Sequence, residues 1–323
     1  MATDPRAYVA KELLPGLDVI PTLDLNDQSI AQFRGMLAWP PIEVPAPLAA
    51  VTCEERLIPG ATGAPDVRIL LYVPPGTADG LRPGYLHVHG GGYMLGRPEI
   101  DDLSNRATAL ALGCVVVSVA YRLAPEASFP AARDDCYAAL AWLHGQAPSL
   151  GIDPARIAIG GESAGGGHAA ALALHARDLG QLPICFMLLD SPMLDDRTGS
   201  TAMTSPFLGQ LVWTAGLNRF GWKSMLGCEP GGDDVPAEAV PARRADVSGL
   251  PPAFIVVGAL DLFLLEDMAF AARLASAGVA VELHVIPGAY HGFGAAGPTA
   301  PQVQMVQSLR TAALARAFDI TAN

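Results

Sequence analysis

The stretch Gly161-Glu162-Ser163-Ala164-Gly165 sets a serine between two glycines, with an apolar run of strand length (Ile157–Ile159) before it and an alanine-rich stretch after it. A serine in that setting is a candidate nucleophile. The glycines permit a sharp strand-to-helix turn that lifts the hydroxyl off the sheet, and the helix that follows starts with free N–H groups facing any negative charge that develops. The motif by itself is weak, and the strand–turn–helix context gives it weight. No G-x-G-x-x-G can be written across these residues and no Gly-Lys-Ser/Thr follows them, so neither a dinucleotide loop nor a phosphate loop fits.

A serine hydroxyl needs a base, and seven histidines compete for that part. His291 sits in Gly288-Ala289-Tyr290-His291-Gly292-Phe293, directly after an apolar run, where a loop leaves the end of a strand. His284 falls inside a run, His168 and His175 on the helix after Ser163, and His144 near a helix end. Loop ends carry catalytic groups more often than element interiors do. An acid that orients the histidine belongs at another strand end, and Asp261, after Phe254-Ile255-Val256-Val257, gives the chain order Ser…Asp…His. Asp190, Asp195 and Asp196 are its rivals. Upstream, His89-Gly90-Gly91-Gly92-Tyr93 follows the run Tyr85–Val88. Its glycines bring the backbone close to a substrate, so the amides of Gly91 and Gly92, with that of Ala164, are expected to form an oxyanion hole; the share of Gly90 is open. His87-Val88-His89 lacks acidic or cysteine partners at ligand spacing, so no metal site is expected and His89 is read as bracing the loop.

These residues need a scaffold. Apolar runs at Val67–Val73, Tyr85–Val88, Cys114–Ala120, Ile157–Ile159, Ile184–Leu189, Phe254–Val257 and Val281–Ile286 alternate with helical stretches at Ala131–Gln146, Ser163–Leu179, Leu264–Ala277 and Val303–Phe318. That alternation predicts an α/β fold with a mostly parallel, doubly wound sheet, and continuous runs such as Val115-Val116-Val117 suit strands covered on both faces. Residues 1–50 read as two short helices, Asp4–Leu14 and Asn26–Trp39, and a proline-rich arm. Residues 197–250 interrupt the rhythm, and Pro206–Leu226 is too apolar for a solvated loop, which predicts a helical insertion. The expected organisation is a core of residues 51–196 and 251–323, with residues 1–50 and 197–250 as a cap over the carboxyl ends of the strands. Substrate contacts are expected from Tyr93, Phe33, Met36, Phe207, Leu208 and Trp213. The alternative for the aromatic stripe is plain packing.

The chain has 323 residues, 51 % of them hydrophobic and 16 % charged, which allows a large core. Its formal charge of −12 speaks against nucleic acid and anionic membrane surfaces as partners. Five cysteines, with no C-x-x-C pair, read as free thiols in a reducing compartment. The first 20 residues do not read as a signal peptide, and no window of 18 apolar residues occurs. The expectation is a soluble cytoplasmic protein.

Taken together, the sequence resembles the hormone-sensitive-lipase family of α/β-hydrolases, especially its bacterial carboxylesterases, from about Leu57 to Phe318. The resemblance rests on His89-Gly90-Gly91-Gly92-Tyr93, Tyr121-Arg122-Leu123-Ala124-Pro125-Glu126, Phe129-Pro130-Ala131-Ala132, Gly161-Glu162-Ser163-Ala164-Gly165-Gly166 and His291-Gly292-Phe293. It implies a capped α/β-hydrolase fold, no cofactor, and a triad of Ser163, Asp261 and His291. Family members often pair through the last strand, here Val281–Ile286, which implies a homodimer. Two positions depart from the family pattern: Glu162 stands where Asp is common, and Asp261-Leu262-Phe263-Leu264-Leu265-Glu266 where Asp-Pro-Leu-x-Asp-Glu is common. The implied activity is hydrolysis of short- to medium-chain acyl esters. Amide, peptide or lactone hydrolysis by the same triad, a lipase acting on insoluble fat, and ligand binding without catalysis, as in the gibberellin receptors of this fold, are the alternatives.

Overall fold

The structure, a computed structural model, describes residues 4–22, 25–36, 43–76 and 80–321. Eight strands, β1 (Thr52–Ile58), β2 (Val67–Val73), β3 (Arg82–Val88), β4 (Val115–Ala120), β5 (Ile152–Glu162), β6 (Phe186–Asp190), β7 (Ala253–Gly258) and β8 (Val281–Ile286), form one sheet in the order β1-β2-β4-β3-β5-β6-β7-β8. The pairs β1–β2 and β2–β4 are antiparallel and every later pair is parallel. The helices are α1 (Leu14–Val19), α2 (Ile30–Met36), α3 (Ala46–Ala49), α4 (Asp102–Leu112), α5 (Ala131–Leu150), α6 (Ala164–Leu179), α7 (Ala215–Leu226), α8 (Leu264–Ser276) and α9 (Pro301–Ala317).

The continuous apolar runs have two faces to fill, because successive side chains of a strand point to opposite sides. Val115, Val117 and Val119 join Leu86, Ile157, Ile159 and Ile255 in a core roofed by α5, α6 and α8. Val116, Tyr85, Ala158, Leu188 and Phe254 face the other way, under α4 and α9. Each side chain fully removed from water contributes about 1.5–3 kcal/mol, so both faces hold the sheet. Ser118, the polar residue of its run, is buried and turns its hydroxyl to His87.

Three expectations change. β1 and α4 were not expected as elements. Where one helix is expected over Asp4–Leu14, residues 4–13 form two 3₁₀ turns, Pro5–Tyr8 and Lys11–Leu13, before α1. This segment packs on the His291 loop, at the carboxyl end of β8: Ala10 N–H donates to the Gly288 carbonyl at 3.1 Å and Tyr290 Oη–H to that of Leu13 at 3.0 Å. Finally, of Pro206–Leu226 only α7 is helical, because Gly209 (φ 65°) and Val212 (φ 62°) lie in the left-handed region. The Thr214 hydroxyl then caps α7 by accepting Leu217 N–H. Trp39 and Pro40-Pro41-Ile42, and the side chain of Met36, lie outside the described residues.

A third apolar cluster sits above the carboxyl ends of the strands. Leu25 and Ile30 from the N-terminal part, and Trp213, Leu217, Trp222, Val235 and Val240 from the interval 197–250, meet Tyr93, Ala164, Met193 and Phe263 there. Among the described residues no helix is long and apolar enough to cross a membrane.

Candidate active site

β5 delivers Ser163 and α6 starts at the next residue. The turn is tight because two glycines let it press on β3: a Cβ on Gly161 or Gly165 would stand 2.2 or 2.0 Å from the Val88 carbonyl oxygen. Ser163 adopts φ 55°, ψ −120°, outside the usual basins of an L-residue, a conformation that costs on the order of 1–3 kcal/mol and persists only where neighbours enforce it. Two backbone bonds do so. Ser163 N–H donates to the Asp190 carbonyl at 2.8 Å, and Met193 N–H donates to the Ser163 carbonyl at 3.0 Å.

The end of β8 brings His291 and the end of β7 brings Asp261, as their positions after apolar runs suggested. Ser163 Oγ–H donates to His291 Nε2 at 2.9 Å, and His291 Nδ1–H donates to Asp261 Oδ2 at 2.8 Å. Asp261 is fully buried, and its other oxygen accepts Phe263 N–H at 3.0 Å. The His291 ring is flanked by the edge of Phe263 at 5.1 Å and by Trp213 at 6.2 Å between centroids. The rival acids are engaged elsewhere. Asp195 pairs with Arg197, Asp196 is buried on Arg243, and Asp190 faces Arg310. Of the other histidines, His144 reaches the Pro183 carbonyl and His284 pairs with Glu282, both away from Ser163.

The glycine loop lies across this line. Gly91 and Gly92 have φ 125° and 58°, values that a side chain would make costly. Gly90 lies against the serine turn, where a Cβ would be 3.0 Å from the Glu162 carbonyl oxygen. Among the described residues, the N–H groups of Gly91, Gly92 and Ala164 donate to no protein acceptor. His89 braces the loop from beneath. Its Nδ1–H donates to the Gly90 carbonyl at 2.8 Å and its ring stacks on Tyr121 at 4.3 Å. Burial holds His89 down to about 4, so it is neutral.

Of the expected substrate contacts, Trp213 lies against the glycine loop and beside His291. A Cβ on Gly92 would stand 2.1 Å from its ring, and a Cβ on Gly221 of α7 would stand 2.8 Å from the Gly92 carbonyl oxygen. Trp213 Nε1–H donates to buried Asn218 at 3.2 Å. Leu208 is buried, Phe33 packs partly buried on the third cluster, and Phe207 is 54 % exposed with its ring against Tyr8 at 5.5 Å. Tyr93 departs from the expectation. Its ring is buried between His168 and Trp222, and its hydroxyl donates to the Met193 carbonyl, which makes it a pillar of the loop.

Sequence reasoning missed a charged group behind the serine, where His87, Asp101 and Glu162 bring their ligand atoms within 4.8 Å of one another. The positive charge beside them is Arg310, 2.6 Å from Glu162. The motif residue Arg122 grips buried Asp135 at 2.7 Å, and Glu126 receives Arg34 of α2, whose Nε–H also donates to the Met94 carbonyl.

A sequence model of the alpha/beta hydrolase fold family matches residues 85–295. The chain is 37 % identical to carboxylesterase NlhH of Mycobacterium tuberculosis over 280 residues, 85 % of each chain. It is 34 % identical to esterase LipI of the same organism, over 90 % of this chain and 89 % of that one. Among solved structures, a bacterial heroin esterase superimposes with a TM-score of 0.86 at 36 % identity, covering 98 % of this chain and 99 % of that one. With a serine turn, a glycine loop and a histidine–aspartate pair on one parallel sheet edge, the chain belongs to the hormone-sensitive-lipase family of α/β-hydrolases, enzymes that hydrolyse esters.

Proposed function

We propose that the protein is a serine carboxylesterase that cleaves short- to medium-chain acyl esters through an acyl-enzyme on Ser163. The observation that carries this is the unbroken line Asp261–His291–Ser163 ending beside three amides without a protein acceptor. Ser163 Oγ attacks the ester carbonyl while His291 Nε2 takes its proton. Asp261 keeps the imidazole in the tautomer with hydrogen on Nδ1 and stabilises its cation. The amides of Gly91, Gly92 and Ala164 receive the oxyanion. His291 then returns the proton to the leaving alcohol, and a water activated by the same ring releases the acid. No step calls for a metal or a cofactor.

In this reading residues 197–250, with α2, form a cap, and Trp213, Leu208, Phe207 and Phe33 bound the acyl side. The relatives' names, carboxylesterase and esterase, support the substrate class. The five cysteines are all free thiols, which supports a cytoplasmic location. The outer edge of β8 has no strand beside it among the described residues, which supports a homodimer joined along β8. The test is a p-nitrophenyl ester series of increasing acyl length beside a matching anilide, with Ser163→Ala as control. Ester turnover that depends on Ser163 and exceeds anilide turnover is expected; equal anilide turnover or an active Ser163→Ala protein would overturn the reading.

A further inference from the structure

Glu162, the departure noted beside the nucleophile, has partners that the ester chemistry does not use. One carboxylate oxygen accepts His87 Nε2–H at 2.9 Å and the other accepts an Arg310 N–H at 2.6 Å. Across the ladder from β5 to β6, Glu162 stands opposite Asp190, and Arg310 also reaches the Asp190 carboxylate at 3.3 Å. Like charges directly opposite on paired strands repel. Here they are tied by one guanidinium, whose planar fork suits two carboxylates. Asp190 is also the residue whose carbonyl accepts Ser163 N–H. The serine is thus flanked by both members of the bridged pair, by peptide bond on one side and by hydrogen bond on the other. On the far side of Glu162, His87 Nδ1 meets Ser118 Oγ at 3.0 Å and Asn105 Nδ2 at 3.4 Å, and Asp101 lies 3.8 Å from His87 Nε2. Burial pushes the Glu162 carboxyl up, but His87 and Arg310 outweigh it and hold the group below its ordinary range. Burial pushes Asp190 up to about 6, with Arg310 pulling against it.

We propose that Arg310 is a positioning residue for the nucleophile: by bridging Glu162 and Asp190 it fixes the two strand ends that enforce the Ser163 turn, with His87 holding Glu162 from the other side. The inference rests on Ser163 being the nucleophile. Arg310 makes no hydrogen bond or ion pair to Ser163 or His291. Its effect reaches the reaction through the Ser163 backbone, whose unusual dihedrals need enforcement from outside. Without the guanidinium, two neighbouring half-buried carboxylates repel or take up a proton, and the serine turn relaxes. Binding of an ester draws on other residues, so the loss falls on kcat.

The test compares Arg310→Met, Arg310→Lys and the double variant Glu162→Gln/Arg310→Met, measuring kcat and KM for p-nitrophenyl acetate and the rate of Ser163 labelling by a small fluorophosphonate. Arg310→Met is expected to lower kcat and the labelling rate ~10–100-fold, the scale of a roughly 1 Å misplacement, with KM within about twofold. Arg310→Lys restores part of the loss. The double variant is faster than Arg310→Met, because no carboxylate at Glu162 is left without its cation, and it serves as the comparison should Arg310→Met fold poorly. Unchanged kcat across the series, a loss confined to KM, or a double variant slower than Arg310→Met overturns the positioning role while Ser163-dependent turnover stands. Turnover that survives Ser163→Ala overturns the nucleophile reading and this one with it.

Discussion

Two histidine–carboxylate pairs flank Ser163, one in front and one behind. In front, His291 holds Asp261 at 2.8 Å; behind, His87 holds Glu162 at 2.9 Å. Both histidines and Asp261 are buried and Glu162 is half-buried, and the two spacings are nearly equal. The pairs differ in what the second ring nitrogen meets. For His291 it is the Ser163 hydroxyl, at the open end of the site. For His87 it is Ser118 in the interior of β4, a hydroxyl with no room for a substrate. A histidine–carboxylate pair is therefore not itself a catalytic signature. The neighbour of the remaining nitrogen decides whether the pair moves a proton or holds a scaffold.

The sharpest way to break this comparison is to remove the front pair and the serine. Ser163→Ala and His291→Ala are each expected to lower kcat by about 10⁵–10⁶-fold, with the double variant scarcely worse, since such residues act as a unit. Additive losses would show that the two do not work together. Asp261→Asn should cost up to ~10⁴-fold by favouring the wrong imidazole tautomer, whereas His87→Gln should cost no more than about tenfold if the rear pair only positions. Matching losses at Asp261 and His87 would erase the distinction. Further out, Trp213→Ala should depress turnover at every acyl length as Gly92 loses its backing. Leu208→Ala should instead move the optimum to longer chains, at ~1–3 kcal/mol of discrimination per methylene. An acyl-length profile with the same shape in both variants would remove Leu208 from the specificity argument.

The smallest effects concern stability. Burial holds His168 down to about 3 and His89 to about 4, against an ordinary value near 6.5. The unfolded chain takes up these protons first, so stability is lost as pH falls below about 6.5 toward those values. A flatter fall of Tm on acidification is expected for His168→Gln. Asp267 has the opposite sign. Buried, with neither carboxylate oxygen hydrogen-bonded among the described residues, it is raised well above its ordinary range, and its penalty grows as pH rises. Asp267→Asn should raise Tm at pH 8 and have no effect near pH 4; equal gains at both would put the cause elsewhere.

The front pair was legible because each member ends an apolar run, a local feature of the chain. The rear pair was not. Arg310 stands 148 residues from Glu162, and only the packing of α9 on the sheet brings them together. β1 escaped notice because Glu54, Glu55 and Arg56 give an edge strand with little buried area. In α4 the buried face carries Asp102 and Asn105 along with Ala109 and Leu112, which hides the helical period. The interval 197–250 lost part of its expected helix because glycine and left-handed Val212 break the period before Thr214. The apolar content there was readable but the shape was not.

The contact between Gly221 of α7 and the Gly92 carbonyl, with the Trp213 ring laid over the same glycine, restricts how this enzyme can be rebuilt. Specificity is commonly altered by exchanging the segment above the sheet and leaving the sheet alone. In this chain that segment is also the ceiling of the glycine loop, and the two meet backbone to backbone with no side chain between them to absorb error. A graft that places any larger residue at 221, or shifts α7 by the width of a methyl group, displaces the glycine-loop backbone whose amides are proposed to receive the oxyanion. Libraries built on this scaffold should therefore vary residues 203 to 208 and hold 209 to 222 fixed, since a side chain at Gly209 (φ 65°) would stand 2.6 Å from Leu262, beside Asp261.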